Sequence, residues 1–230
     1  MTVPTAVPIR DGATVALLRD TDSGFEVFML KRSTEAVFSP GAHVFPGGRV
    51  DEEDHVDAAT EWCAPVGTTT EIRLAYYVAA LREAFEEAGL LLAYDANGAL
   101  VRFDDPDAVE RYSLHRKAVH AGEASIAAVC AREALTLAID RLVPFAHWIT
   151  PEGAPRRFDT RFFAARAPEG QEPSADGYET TSGVWVTPAN MLAANDAGAV
   201  ELILPTRRTL ELLATFRSVD DALAGLETAG

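Results

Sequence analysis

Glu83, Glu86 and Glu87 stand at i, i+3 and i+4 in the segment "REAFEE". On a helix that spacing brings three carboxylates to one face. Like charges there repel by a few tenths of a kcal/mol per pair in an isolated helix. A solvated acidic face tolerates this cost. A divalent cation over the cluster turns it into a gain: magnesium takes hard oxygen ligands and keeps waters that leave room for substrate phosphates. Arg82 can hold one glutamate by a charge-assisted hydrogen bond. A second stretch, "VFPGG", closes a short apolar run with Gly47 and Gly48. Glycine permits positive φ and close backbone approach to a ligand. A freed carbonyl there can serve a metal, and freed N–H groups can face a phosphate. An ordinary turn leaving a strand would use the same residues.

These residues need elements to position them. Leu74, Val78, Leu81, Phe85 and Ala88 recur at the helical period, so 70–92 reads as a helix over most of its length. Thr70 suits its N-cap, with Glu71 in the first turn, and Gly89 its stop. Upstream, 13–20 and 25–32 read as strands joined by the turn "TDSG". The segment 51–70 is of mixed polarity, with Pro65 and Gly67, and reads as a loop. Beyond the helix, 90–95 returns as a strand, and 104–138 reads as two helices joined by "GEAS". Further strands are expected at 145–150, 159–166 and 183–188. Helices at 188–196 and 205–216 each open on proline. Strands mixing with helices throughout favour a sheet between helical layers.

The chain of 230 residues suits one sizeable domain, or a domain with a large insertion. Its hydrophobic and charged fractions, 48% and 24%, are those of a globular protein with a real core. A net charge of −15 repels nucleic acid, whose binding needs basic stripes. It still admits a small polyanion where local cations or metal ions reverse the field. No apolar run approaches the roughly 20 residues that span a bilayer. The opening "MTVPTAVPIRDG" has no basic segment followed by an apolar one. A cytoplasmic chain with no membrane or nucleic-acid partner is expected. Cys63 and Cys130 show no metal spacing and read as reduced thiols.

The glycine turn and the carboxylate helix together resemble the Nudix hydrolase signature. That signature runs glycine, five residues, glutamate, seven residues, then Arg-Glu-aliphatic-any-Glu-Glu-any-Gly-aliphatic. "REAFEEAGL" (82–90) matches its second half at every fixed position, with Ala84 at the first aliphatic place. "GG" preceded by "FP" matches its start. The signature puts 13 residues between glycine and arginine, whereas 33 separate Gly48 from Arg82, an excess of 20 within 51–70. Glu53, Asp54 and Glu71 are the candidates for the first glutamate. Asp54 holds the literal spacing from Gly48.

The approach to the box, "FMLKRSTEAVFSPGAHVFPGG", is similar to that of Nudix coenzyme A diphosphatases. Arg32, Ser33, Gly41 and 45–48 fall at the expected spacing, and Val37 stands where that pattern has a second arginine. The long box insertion and the phrases "SPGAHVFPGG", "HWITPEGAPRRFDTRFF" and "WVTP" resemble the peroxisomal branch acting on coenzyme A esters. The chain ends "ETAG", not Ser-Lys-Leu.

The resemblance implies an α/β fold: a single domain over 1–230, an α/β/α sandwich around a mixed sheet, with an inserted helical pair at about 104–138. It implies hydrolysis of a nucleoside diphosphate linked to another group, with Mg2+ or Mn2+ as cofactor. Coenzyme A or an acyl ester is the preferred small-molecule nucleotide substrate. ADP-ribose and dinucleotide polyphosphates are the alternatives, and a non-catalytic binding module is expected to have lost its carboxylates. By match to the box, Glu86 and Glu87 hold metal, Glu83 is a ligand or base, the Gly47 carbonyl completes the shell, and Arg82 orients a glutamate. Many family members take a further glutamate from a later loop. Glu179 fits that place, with Asp176 as runner-up. Arg32 matches the diphosphatase pattern for binding phosphates. Arg157 and Arg161, with Arg156, supply further cations unless Asp159 pairs with one. His43 reads as structural, and Trp148 and Trp185 as core. The helical pair is too long for a plain connector and is expected to cap the cleft or make a homodimer contact. One spatial expectation follows: Gly47 beside Glu86 and Glu87, with 51–70 looped out.

Overall fold

The computed structural model describes residues 7–35, 39–56, 61–67 and 72–229, the last by its backbone alone. Thr70, Glu71 and Val37, to which the sequence assigned roles, lie outside these ranges.

Strand β1 (Ile9–Thr21) turns through two residues into β2 (Gly24–Arg32). The two pair from Leu18↔Val27 to Thr21↔Gly24 and then part. The chain between fills the fork. β3 (His43–Val44) pairs with β2 at Leu30 and Lys31, and β4 (Gly47–Arg49) pairs with β1 over Gly12–Thr14. β7 (Val143–Ile149) lies antiparallel to β8 (Arg157–Arg166), which runs parallel to β1. β9 (Thr180–Val186) pairs antiparallel with β2. Together these seven strands form one mixed sheet. β5 (Ala93–Tyr94) and β6 (Thr136–Leu137) form a small second sheet.

Helices cover both faces. Ala13, Val15 and Leu17 of β1 enter a core shared with α1 (Leu74–Glu83), α2 (Pro106–His120) and α3 (Ile126–Glu133). Ala16 and Leu18 enter the opposite core, with α4 (Pro188–Asp196), α5 (Leu204–Leu213) and α6 (Val219–Ala229). Alternate side chains of a strand point to opposite faces, so a strand covered on both reads as nearly continuous apolar sequence. The expected α/β/α sandwich is thus observed.

The helix expected over 70–92 is shorter: α1 starts at Leu74, and 84–88 continue as a π turn. Gly89 stops it as expected, with φ 71° and its N–H on the carbonyls of Ala84 and Phe85. The helical pair begins as its caps dictate: Asp105 accepts from Ala108 N–H before Pro106, and Ser125 from Ala128 N–H. The box insertion is not simply looped out. Asp51 and Asp54 fold a 3-10 turn (Glu52–Asp54), and Trp62 and Ala64 bond the main chain of Leu137. Helix α6 was not anticipated, although Val219, Ala222 and Leu226 carry a helical spacing and are fully buried.

Candidate functional site

The carboxylates sit where α1 gives way to the π turn. Such single turns concentrate at functional sites. Glu83 closes the α-helical part, and Glu86 and Glu87 belong to the π turn. Burial around them is extensive because every residue of α1 from Ala75 to Arg82 is buried, in a core shared by the sheet, α2 and α3. Across the gap in sequence, Gly47 N–H donates to Glu87 Oε2 at 2.9 Å. Gly48 lies against Glu83, so that a Cβ at this position would run into the carboxylate. The expected meeting of the two stretches therefore occurs through Gly47 and Glu87, while the second contact found joins Gly48 to Glu83 rather than Gly47 to Glu86. The observed contact of Gly47 is its amide, whereas a carbonyl ligand was expected.

Arg82 is the hub. Nε and Nη2 donate to the two oxygens of Asp54 at 2.9 and 3.0 Å, and Nη1 donates to Glu83 at 3.0 Å and Glu86 at 2.8 Å. Nη2 also reaches the Arg49 carbonyl at 2.8 Å. Asp54 is fully buried. Of the two described candidates for the first acidic place, Asp54 is joined to Arg82 and Glu53 is exposed, while Glu71 lies outside the described residues. Burial tends to discharge Arg82, but Asp54, Glu83 and Glu86 outweigh it and push its pKa up. Burial pushes Glu83 up to about 7, with the Arg82 charge opposing and the Glu86 charge adding. Glu87 rises well above the carboxylate range, chiefly through burial and the charge of Glu83, against the Gly47 N–H and Arg32.

Gly47, Gly48, Arg82, Glu83, Glu86 and Glu87 line a cavity of about 720 Å3, within the range of small-molecule sites. Arg32 and Glu179 also line it. Pairing of β2 with β9 brings them together: Arg32 faces Thr180 in the ladder, and Ser33 N–H donates to the Glu179 carbonyl at 2.8 Å. The Arg32 Nη2 to Glu179 Oε2 distance is 3.9 Å, and Arg32 Nε is buried without a hydrogen-bond partner among the described residues. Asp176 accepts from the amides of Tyr178, Glu179 and Thr180, so it shapes the Glu179 loop.

Arg157 and Arg161 are placed otherwise than expected. Phe158, Thr160 and Phe162 of β8 line the cavity, and strand alternation turns residues 157 and 161 to the other face. Arg157 Nε donates to the Thr150 carbonyl. Arg10 and Arg156, which have no ion pair among the described residues, line the cavity instead. Arg10 was missed. Its signal was parity, since residues 10, 12 and 14 of β1 run beside 158, 160 and 162 of β8. Trp185 packs on Phe28, as expected of a core residue, but Trp148 also lines the cavity. His43 is not among the cavity residues, and burial and Lys31 lower its pKa.

The donor set fits a hard divalent cation in chemistry: Glu83, Glu86 and Glu87 bring three carboxylates to the cavity, facing the charges of Arg82 and Arg32. Among the described residues no three acidic, histidine or cysteine side chains already converge as a cage. Glu83 and Glu86 share an Arg82 nitrogen, and Glu87 takes the Gly47 amide. Among the described residues no helix is long and apolar enough to cross a membrane. Burial pushes the Cys63 and Cys130 thiols up to about 12.

The NUDT19 Nudix domain family matches residues 64–207. Curated relatives include the human acyl-coenzyme A diphosphatase NUDT19, 29% identical over 254 residues, covering 89% of this chain and 66% of that protein. Its chicken (Gallus gallus) counterpart is 26% identical over 242 residues, covering 86% and 63%. The putative nudix hydrolase 7 of Caenorhabditis elegans is 30% identical over 205 residues, covering 88% and 59%. The chain thus spans about three fifths of the length of these relatives. Among solved structures, a NUDIX hydrolase from Alicyclobacillus acidocaldarius superposes with a TM-score of 0.79 at 29% identity, covering 95% of this chain and 96% of that one.

Proposed function

The chain belongs to the NUDT19 Nudix domain family, and from that premise we propose that it hydrolyses the pyrophosphate bond of coenzyme A or its acyl esters. Nudix hydrolases generally need a divalent metal ion; here we propose Mg2+ or Mn2+. The single observation that carries the reading is the Gly47 amide on Glu87, which closes the two halves of the box across 40 positions of sequence. The names of the curated relatives favour an acyl-coenzyme A substrate.

Glu86 and Glu87 are the proposed metal ligands, with Glu83 beside them. The bound ion would neutralise charge on the phosphate oxygens and acidify a water. Glu83, held near pH 7 by burial, is matched to proton transfer at neutral pH. Glu179, on its exposed loop at the same cavity, is the second candidate to take the proton of the attacking water. Arg82 orients Glu83 and Glu86 rather than meeting substrate. Arg32, with its unpartnered Nε, is suited to a phosphate oxygen, and Arg10 and Arg156 to anionic groups farther along the cavity. Water attack at phosphorus breaks one P–O bond of the anhydride and leaves two phosphate monoesters.

The test is product formation in Mg2+, followed by chromatography, from coenzyme A, an acyl ester, ADP-ribose and a diadenosine polyphosphate. We expect turnover of the coenzyme A substrates and a loss of about 100-fold or more in kcat for Glu86→Gln, the equivalent of several kcal/mol of charge stabilisation. An absence of turnover across the panel, or an active Glu86→Gln variant, rejects the reading.

A further inference from the structure

Arg116 lies on α2, outside the box, yet it reaches the box directly. Its Nε donates to the Glu86 carbonyl and its Nη2 to the Glu87 carbonyl, both at 2.8 Å. The same guanidinium crosses to the loop after β8. Nη1 donates to Ser174 Oγ and Nη2 to the Ser174 carbonyl, both at 2.9 Å. Ser174 N–H in turn donates to the Ala88 carbonyl at 2.9 Å. The last carbonyls of a helix have no partner within it and carry partial negative charge, so a cation is the apt partner. Gly89 leaves room for it: a Cβ there would stand 2.9 Å from Arg116 Nη1.

The chain from Ser174 leads in five residues to Glu179, through the turn that Asp176 fastens. One turn further along α2, His120 lines the cavity and stacks on Tyr178, with ring centroids 4.8 Å apart and planes 20° apart. Helix α2 thus holds the Glu179 loop at two points and the carboxylate turn at one.

We propose that α2 is the positioning element of the site, and that Arg116 is a positioning residue that fixes Glu179 relative to Glu86 and Glu87. This rests on the proposed roles of those glutamates. Arginine suits the task because one planar group spans three separate carbonyls, which a lysine ammonium on a flexible stem cannot do. Misplacement of reacting groups by about 1 Å can cost about 100-fold in rate.

The test compares wild type with Arg116→Gln, Arg116→Lys, Glu179→Gln and the double variant Arg116→Gln/Glu179→Gln. Steady-state kinetics on an acyl-coenzyme A, melting temperature and amide hydrogen exchange by mass spectrometry are the measurements. For folded Arg116→Gln we expect kcat to fall about 10- to 100-fold, with KM changed by less than about threefold and faster exchange at 84–90 and 172–180. Arg116→Lys should recover the melting temperature but not kcat. Because groups acting as one unit are non-additive, the double variant should be no slower than the slower single one. Folded Arg116 variants with wild-type kcat, single losses that multiply, or Glu179→Gln with wild-type kcat would each overturn the proposal. If wild type turns over no coenzyme A substrate, the hydrolase reading fails. Exchange still decides the positional claim, and unchanged protection at 172–180 in Arg116→Gln rejects it.

Discussion

Arg82 answers to four partners at once: Asp54, Glu83, Glu86 and the Arg49 carbonyl. Lysine cannot reproduce that planar fork. Arg82→Lys should leave Asp54, with no solvent contact, largely uncompensated, a loss of about 3 kcal/mol or more. Calorimetry should then show a melting temperature lower by about 5 °C or more. The two neighbouring glycines should separate folding from chemistry. A Cβ at Gly47 would stand 2.6 Å from the Ala13 carbonyl, a backbone atom that cannot easily move. Gly47→Ala should therefore destabilise the fold by about 1–3 kcal/mol. A Cβ at Gly48 meets the movable Glu83 carboxylate. Gly48→Ala should keep most of its stability but lose kcat, measured on the substrate that wild type turns over. At this scale the glutamate trio stood out by its spacing, while the first acidic place stayed open among Glu53, Asp54 and Glu71. Arg116 was not legible, because a side chain that binds main-chain carbonyls leaves no pattern in residue types.

Among the elements, the π turn is the one on which the site depends. Its end is set by Gly89 in the left-handed region at φ 71°. Alanine there costs about 1–2 kcal/mol in backbone conformation, and its Cβ crowds the Arg116 guanidinium. Gly89→Ala should lower the urea midpoint and kcat together. The same change at Gly98, where a Cβ meets nothing within 4 Å, should give a backbone effect alone. The helix and the helical pair were readable from their period, and the stop from Gly89, but the start was not, since the N-cap of α1 is Arg73. The π turn was not readable, since its residue types suit an α-helix equally well. The short strands β3 and β4 were also invisible, because they owe their pairing to the fork between β1 and β2.

For the molecule as a whole, an acidic chain has buried several of its acids beside one another. The folded-state pKa of Glu83, about 7, lies above its unfolded value near 4.5. The folded protein therefore binds the proton more tightly, and stability falls as pH rises between those values. Glu87 acts in the same direction. His43, lowered by burial, acts in the opposite one as a single group. The net charge of −15 adds self-repulsion as the acids ionise. In chelator, the melting temperature should be several degrees lower at pH 8 than at pH 5.5. A divalent cation that binds the folded carboxylates should raise it more at pH 8. Equal melting temperatures at the two pH values, with no cation effect, would contradict this.

The sequence by itself determined which groups could do chemistry and what kind. Glutamate spacing, paired glycines and helix caps act between near neighbours, and one chain displays them directly. Tertiary structure alone decided which of the remaining groups reach the cavity. Arg10 and Arg156 line it while Arg157 and Arg161 do not, because a single step along a strand reverses the face a side chain meets. It also decided that Gly47 meets Glu87 and that Arg116 meets the carbonyls of Glu86 and Glu87. Those contacts join residues about 30 to 40 positions apart, and a separation of that length is closed by packing one element against another, which no local pattern in the chain displays.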